Sequence, residues 1–339
     1  MEHGTQTVSV QLLKQTLLIA KSRGVDTRAV VLAAGIDPTV MRSRSNHISS
    51  AVYGKVWLAI ADALDDEFFG EDPHPMRRGS FALMAQASLG ASNGEQAIQR
   101  AVSFMRLVLD NIEGRVTRRE GNVWLEMRYR SARPTMFAYA TYFILIYGLV
   151  CWLVGRRIPI VRTVLECDVP PAVDEYRLIF CEDMVFSATT AYVELSEEFL
   201  SLPVVQSAKN LALFLNNAPG NFVTKYRQPN PVASRVHRLL ASMPVDQWPD
   251  ADAMAKLLQQ APATMRRRLR SEGVSYQTVK DRARCRLAVE MLKNPETTVL
   301  DVAIALGYAE PSAFHRAFRK WMGTSPHKYR SVALNKVPT

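Results

Sequence analysis

The chain has 339 residues, 48% hydrophobic and 22% charged, which is enough to bury two cores of ordinary size and too apolar for a disordered protein. Its formal net charge is +10, and the excess is uneven: Pro231 to Thr339 carries 18 Lys and Arg against 9 Asp and Glu, while the rest carries 24 against 23. So basic a final third suits a polyanionic partner, and the balanced remainder does not.

The first residues, "MEHGTQTVSVQLLKQ", lack a basic segment followed by an apolar core, so no export signal is expected. Val10, Leu13, Leu17 and Ala20 recur at helical spacing up to Gly24, and a shorter helix is expected over about Arg28–Ala34. Ser49 or Ser50 is placed to cap a third helix, with Val52, Val56, Ile60 and Leu64 on one face. Asn93 followed by Gln96 has the form of a capping box, and Ile98, Ala101, Val102, Met105 and Leu109 continue that stripe. The period then changes to two: Val123, Leu125, Met127 and Tyr129 alternate with Trp124, Glu126, Arg128 and Arg130, after an "EGN" hairpin turn.

Pro134 to Gly155 is uncharged and long enough to span a bilayer. Thr135, Tyr139, Thr141, Tyr142 and Tyr147 run through it rather than belting its ends, and Arg133, Arg156 and Arg157 flank both sides. With no charge asymmetry to orient a span, a buried core helix is the favoured reading. The tyrosines and Trp152 suit either core packing or the wall of a small-molecule pocket, and packing is preferred for any single residue. "IVRTVLEC", "YRLIFC" and "MVFSA" come next as expected strands, broken by Pro170–Pro171, and "LPVVQSAKNLALFLNN" returns to helix. The first two-thirds therefore predicts an α+β domain over residues 1–215, and the Pro-, Gly- and Asn-rich stretch 216–231 a linker.

Residues 232–339 predict an all-helical domain. "DADAMAKLLQ" is a short helix, "QAP" a turn and "ATMRRRLRSEG" a basic helix closed by Gly273. "YQTVKDRARCRLAVEMLKNP" is a long helix stopped at Pro295; "TVLDVAIAL", the turn "GYAEP" and the basic helix "SAFHRAFRKWMG" complete the series. Short helix, turn, basic helix thus occurs twice, which is two helix-turn-helix units.

In the second unit Phe314, Phe318 and Trp321 form an inward face, leaving Ser312, His315, Arg316, Arg319 and Lys320 outside. In the first, Met265 and Leu269 face inward, leaving Ala263, Thr264, Arg266, Arg267 and Arg270. Arg bonds guanine O6 and N7 bidentately, Ser and His make shorter polar contacts, and peripheral Lys and Arg neutralise phosphates. His315 is equally read as a solvated helix residue. The connecting helix, about Tyr276–Leu292, is roughly 25 Å long at 1.5 Å per residue, suited to hold two recognition helices about one DNA turn apart.

"TTVLDVAIALGYAEPSAFHRAFRKWMGTSPHKYR" resembles the signature of the AraC/XylS transcription regulators, and with "ATMRRRLRSEGVSYQ" the likeness covers roughly Pro231 to Arg330. The resemblance implies base contacts from Ala263, Arg266, Arg267, Ser312, His315 and Arg316; Thr264, Arg270, Arg319 and Lys320, peripheral to those trios, are expected at phosphates. The chain departs from that pattern at its turns: Gln259 stands where the family usually has Gly, and Ala261 and Ala309 where a capping Ser is common. "GVDTRAVVLAAGID", "HIS" and "GASNGEQAIQRAVSF" are similar, more loosely, to the sensor domain of regulators of the ornithine-utilisation type. Cysteines without a pairing motif, with no export signal, suit a reducing cytoplasm, and the two resemblances together imply an effector-responsive activator. Its partners would be double-stranded DNA, RNA polymerase, a small-molecule effector and a second copy of itself, with no membrane, cofactor or metal.

Two alternatives stay open. A constitutive DNA-binding protein would use the first domain only to dimerise. A DNA-repair enzyme with the same DNA-binding domain would need a cysteine cluster for zinc and methyl transfer, but Cys151, Cys167, Cys181 and Cys285 show no C-x-x-C pair, so free core thiols are expected. Hydrolase, nucleotide-binding and metalloprotease motifs are absent.

Overall fold

Ser9 and Ser49 each end a three-residue strand and cap the helix after it. Strand β1 (Thr7–Ser9) leads into α1 (Val10–Ser22), then α2 (Thr27–Ala33); β2 (His47–Ser49), antiparallel to β1, leads into α3 (Ser50–Leu64). The Ser9 hydroxyl accepts from Leu12 N at 3.2 Å and that of Ser49 from Val52 N at 3.3 Å, so one strand-cap-helix device is used twice. The computed structural model describes residues 7–42, 47–119, 121–224 and 232–334. The chain divides into two units, Met1–Gln228 and Pro229–Thr339.

In the first unit, α4 (Ser80–Leu89) and α5 (Gly94–Val108) precede a hairpin of β3 (Ile112–Arg119) and β4 (Asn122–Tyr129). The Asn93 side chain caps α5 by accepting from Gln96 N at 2.9 Å; Gln96 Oε1 accepts in return from Ser92 N, one residue before the position a capping box requires. In the hairpin Arg119 faces Asn122 and Gly121 takes φ 76°, while Glu120 of the expected turn lies outside the described residues. Helix α6 (Met136–Leu153) comes next, buried at every residue from Phe137 to Leu153, so the long apolar stretch is core. Gly114 of β3 permits the approach of α6: a Cβ there would stand 1.8 Å from the Tyr142 hydroxyl. Cys151 and Cys167 are buried in this core and Cys181 packs at its margin.

After α6 come β5 (Ile160–Val164), α7 (Val173–Ile179), β6 (Met184–Val185), β7 (Ala191–Ser196), α8 (Glu197–Leu200) and α9 (Ala208–Thr224). The main sheet has the order β3-β4-β7-β5-β6, antiparallel except for the β5–β6 pair. "YRLIFC", expected as a strand, instead supplies most of α7. Asp174 and Glu175 sit in the helix's first turn, where the dipole favours them, and Tyr176 and Ile179 bury one face at i, i+3. The expected linker also begins too early, because α9 continues through 216–224 despite Pro219 and Gly220. Phe214 stacks on Trp152 at 4.1 Å, and Leu211 and Leu215 pack on the same core, so packing carries the helix past residues of poor helical propensity.

Among its described residues the second unit has helices and no strand: α10 (Val232–Ala241), α11 (Ala251–Leu257), α12 (Pro262–Ser271), α13 (Tyr276–Leu292), α14 (Val299–Ala305), α15 (Pro311–Met322) and α16 (Pro326–Leu334). It holds two separate cores. Val236, Leu240, Met254, Met265 and Leu269 join Val279 and Ala283 in one; Val302, Phe314, Phe318 and Tyr329 join Cys285, Ala288 and Leu292 in the other. Both draw on α13, its N-terminal half walling the first core and its C-terminal half the second.

Candidate nucleic-acid interface

The setting of α12 is decided by its two buried residues. Met265 and Leu269 are 0% and 1% exposed, four positions apart, and pin one face of the helix against α10, α11 and α13. Ala263, Arg266, Arg267 and Arg270 are thereby exposed and Thr264 is half-buried. The turn before α12 is built with poor materials. Gln259 holds the left-handed φ of 55°, the conformation a glycine adopts freely, and Ala261 is the N-cap with no side-chain acceptor. Pro262 at the first helical position supplies the fixed φ instead. Arg266 Nη2 donates to Asp252 Oδ1 of α11 at 2.7 Å, both side chains being about 60% exposed.

The second unit is better built. Thr298 and Asp301 form a full capping box at the start of α14: the Thr298 hydroxyl accepts from Asp301 N at 3.1 Å, and the carboxylate accepts from Thr298 N at 2.8 Å. The carboxylate also accepts from the Thr298 hydroxyl at 2.6 Å, and this bond first, with the one from Thr298 N second, holds the Asp301 carboxyl below its ordinary range. Helix α15 is fixed by Phe314 and Phe318, both 0% exposed, with Tyr308 and half-buried Trp321 beside them. Tyr329 of α16 meets Phe318 edge-on at 5.7 Å, and Arg330 donates to the Thr297 carbonyl, tying α16 to the start of α14. Gly323, at φ 68°, ends α15. The cap of α15 is Glu310, not Ala309: a residue preceding proline is driven to extended backbone, and Glu310 sits at φ −124°, ψ 127° before Pro311. Ser312, Arg316, Arg319 and Lys320 are exposed; His315 is half-buried, its ring 5.5 Å from that of His327.

Each expected base-facing trio shares one helical face. Ala263, Arg266 and Arg267 stand at i, i+3, i+4 on α12, and Ser312, His315 and Arg316 repeat that spacing on α15. Neither helix has an acidic residue in its first turn, and both end on basic ones, Arg268 and Arg270 in α12 and Arg319 and Lys320 in α15. Among the described residues, Arg267, Arg270, Arg316 and Arg319 have no carboxylate partner, so their guanidinium donors face solvent. Sequence reasoning missed the Asp252–Arg266 pair, which spans fourteen positions and two helices. It also missed Glu272, whose carboxylate accepts from Val232 N and Ala233 N at 2.8 Å each and so caps α10 from the far end of α12. Neither pair has a local spacing that signals it.

Two helix-turn-helix units built on one shared helix, each with a basic outward face, define a DNA-binding protein. Residues 24–204 match the family described as the arabinose-binding domain of AraC transcription regulator, N-terminal, and residues 254–331 match a helix-turn-helix domain family. The chain belongs to the AraC family and is a DNA-binding transcription regulator. It is 26% identical over 338 residues to the ornithine utilization regulator of Pseudomonas aeruginosa, covering 96% of this chain and 97% of that protein. Over 97 residues it is 38% identical to the transcriptional regulator VqsM of the same organism, covering 29% of this chain and 30% of that one. Among solved structures, the transcriptional regulator CdpR from Pseudomonas aeruginosa is 22% identical, covers 90% of this chain and 96% of that one, and gives a TM-score of 0.30.

Proposed function

We propose that the chain is an effector-responsive transcriptional activator whose α12 and α15 enter successive major-groove segments of one duplex. Ala263, Arg266 and Arg267 face bases from α12, and Ser312, His315 and Arg316 do so from α15. Thr264, Arg270, Arg319 and Lys320 meet phosphates. Arg316 carries the most base discrimination, because bidentate pairing to guanine rejects the other bases by about 1–3 kcal/mol. The first unit senses a small molecule and pairs two copies of the chain, and the second also meets RNA polymerase. The protein acts in the cytoplasm by binding rather than by catalysis.

The observation that carries this reading is the repeated i, i+3, i+4 basic face on two helices anchored to the two halves of α13. The experiment is selection of duplexes from a random pool by the full chain, followed by footprinting and a reporter assay. A motif of two blocks, about one helical turn apart and protected in the major groove, is expected. A single block, or binding that hardly changes between low and moderate salt, would overturn it, since each neutralised phosphate contributes to the salt slope.

A further inference from the structure

Within the first unit, α3, α4, α6 and α9 line a half-open cavity of about 350 Å³. That volume lies at the small end of small-molecule sites. Trp57, Phe69, Phe81, Leu145 and Leu215 are among the apolar residues of its wall. Phe69 is held at a left-handed φ of 61°, unusual for so bulky a residue, with its ring edge-on to Trp57 at 4.9 Å. The turn that imposes this conformation is fixed by Asp66, whose carboxylate accepts from Phe68 N at 2.8 Å and Gly70 N at 2.6 Å. Backbone strain at an aromatic residue in a cavity wall is a feature of ligand clamps.

The two charged groups in that wall are already matched. Glu67 accepts from Arg78 Nη1 at 2.6 Å, and also from Gly79 N at 3.0 Å and Phe81 N at 2.6 Å at the start of α4. Arg78 Nε donates to Asp62 at 2.6 Å. Among the described residues a charged ligand entering here gives up its hydration and finds no free counter-charge, whereas an apolar one loses nothing of that kind. Asn216, exposed at the edge, offers one amide for a polar substituent.

We propose that this cavity binds an uncharged aromatic effector of one or two fused rings carrying a single hydroxyl or similar polar group. The inference rests on the reading of the first unit as a sensor. Leu215 and Asn216 belong to α9, the last element of the first unit, so the occupant seats the helix from which the chain continues to the DNA-binding unit.

The test uses the full chain and three probes that share one ring system: 2-naphthol, 2-naphthoate and 2-naphthylmethylammonium. By calorimetry at neutral pH, 2-naphthol should bind at least tenfold more tightly than either charged probe. Ala82→Trp, which fills the cavity from α4, should remove that binding, with circular dichroism reporting its fold. A photoreactive naphthol analogue should label peptides containing Trp57, Phe81 or Leu215, a result that needs no variant. Equal or tighter binding of a charged probe, no binding at all, or labelling elsewhere would overturn the proposal. Naphthol bound in the cavity with DNA affinity and reporter output unchanged would sustain the site and remove the sensor reading.

Discussion

Arg266 of α12 donates to Asp252 of α11 at 2.7 Å, whereas Arg267, one position on, has no carboxylate partner among the described residues. On the proposed reading, DNA competes with Asp252 for one of the two arginines in the first trio. Because both side chains are well exposed, the pair contributes about 0–1 kcal/mol to stability. Asp252→Ala should leave thermal stability nearly unchanged and, by freeing a base-facing arginine, tighten binding to the selected site severalfold and to random duplex by less. Weaker binding to the selected site would mean that Asp252 orients Arg266 instead.

Gln259 holds a left-handed φ of 55° at the end of α11. Gln259→Gly should stabilise the second unit by about 0.5–1 kcal/mol, the gain from removing a Cβ penalty being partly offset by unfolded-state entropy. Urea unfolding followed by helical circular dichroism measures it. A loss of stability would show that the glutamine side chain contributes more than its backbone costs.

The two cores of the second unit should lose structure separately. Phe318→Ala empties the centre of the second core and should cost about 3–5 kcal/mol. Hydrogen exchange should then rise through α14, α15 and α16, while the amides of α11 and α12 keep most of their protection. Equal loss in both regions would mean that α13 makes them one folding unit.

Acid should act on α14 through Asp301. Its folded carboxyl titrates below the ordinary 3.8, so its stabilising contribution is complete above about pH 3.8 and is lost as pH falls through the lower folded value. Asp301→Asn should be less stable than the native chain at neutral pH, and its melting temperature should fall less steeply below about pH 4. Parallel acid profiles would remove the capping box from the stability of this unit.

Helical periods are legible wherever a buried stripe repeats, as in Ile98–Ala101–Met105 and Phe314–Phe318, because burial at 3.6-residue spacing leaves few other folds. The strand Ala191–Ser196 is not evident from sequence, although Tyr192 and Glu194 alternate with Val193 and Leu195; six residues give a weak signal, and its central place between β4 and β5 is a tertiary fact. Residues 176–181 mislead because a short apolar run does not distinguish strand from helix without the acidic first turn before it. On the interface, the outward positions of α12 and α15 are fixed by their inward ones. Asp252 is invisible, because nothing local ties it to Arg266.

Base reading by α15 is tested most directly by affinities of the native chain, Arg316→Ala and Lys320→Ala across every single-base variant of the selected site. Arg316→Ala should lose about 1–3 kcal/mol on the selected site and much less on random duplex, flattening discrimination at one base pair. Lys320→Ala should weaken all variants by a similar, smaller factor and reduce the salt slope by about one. If Arg316→Ala instead lowers every variant equally, Arg316 holds a phosphate and α15 does not read bases in this register.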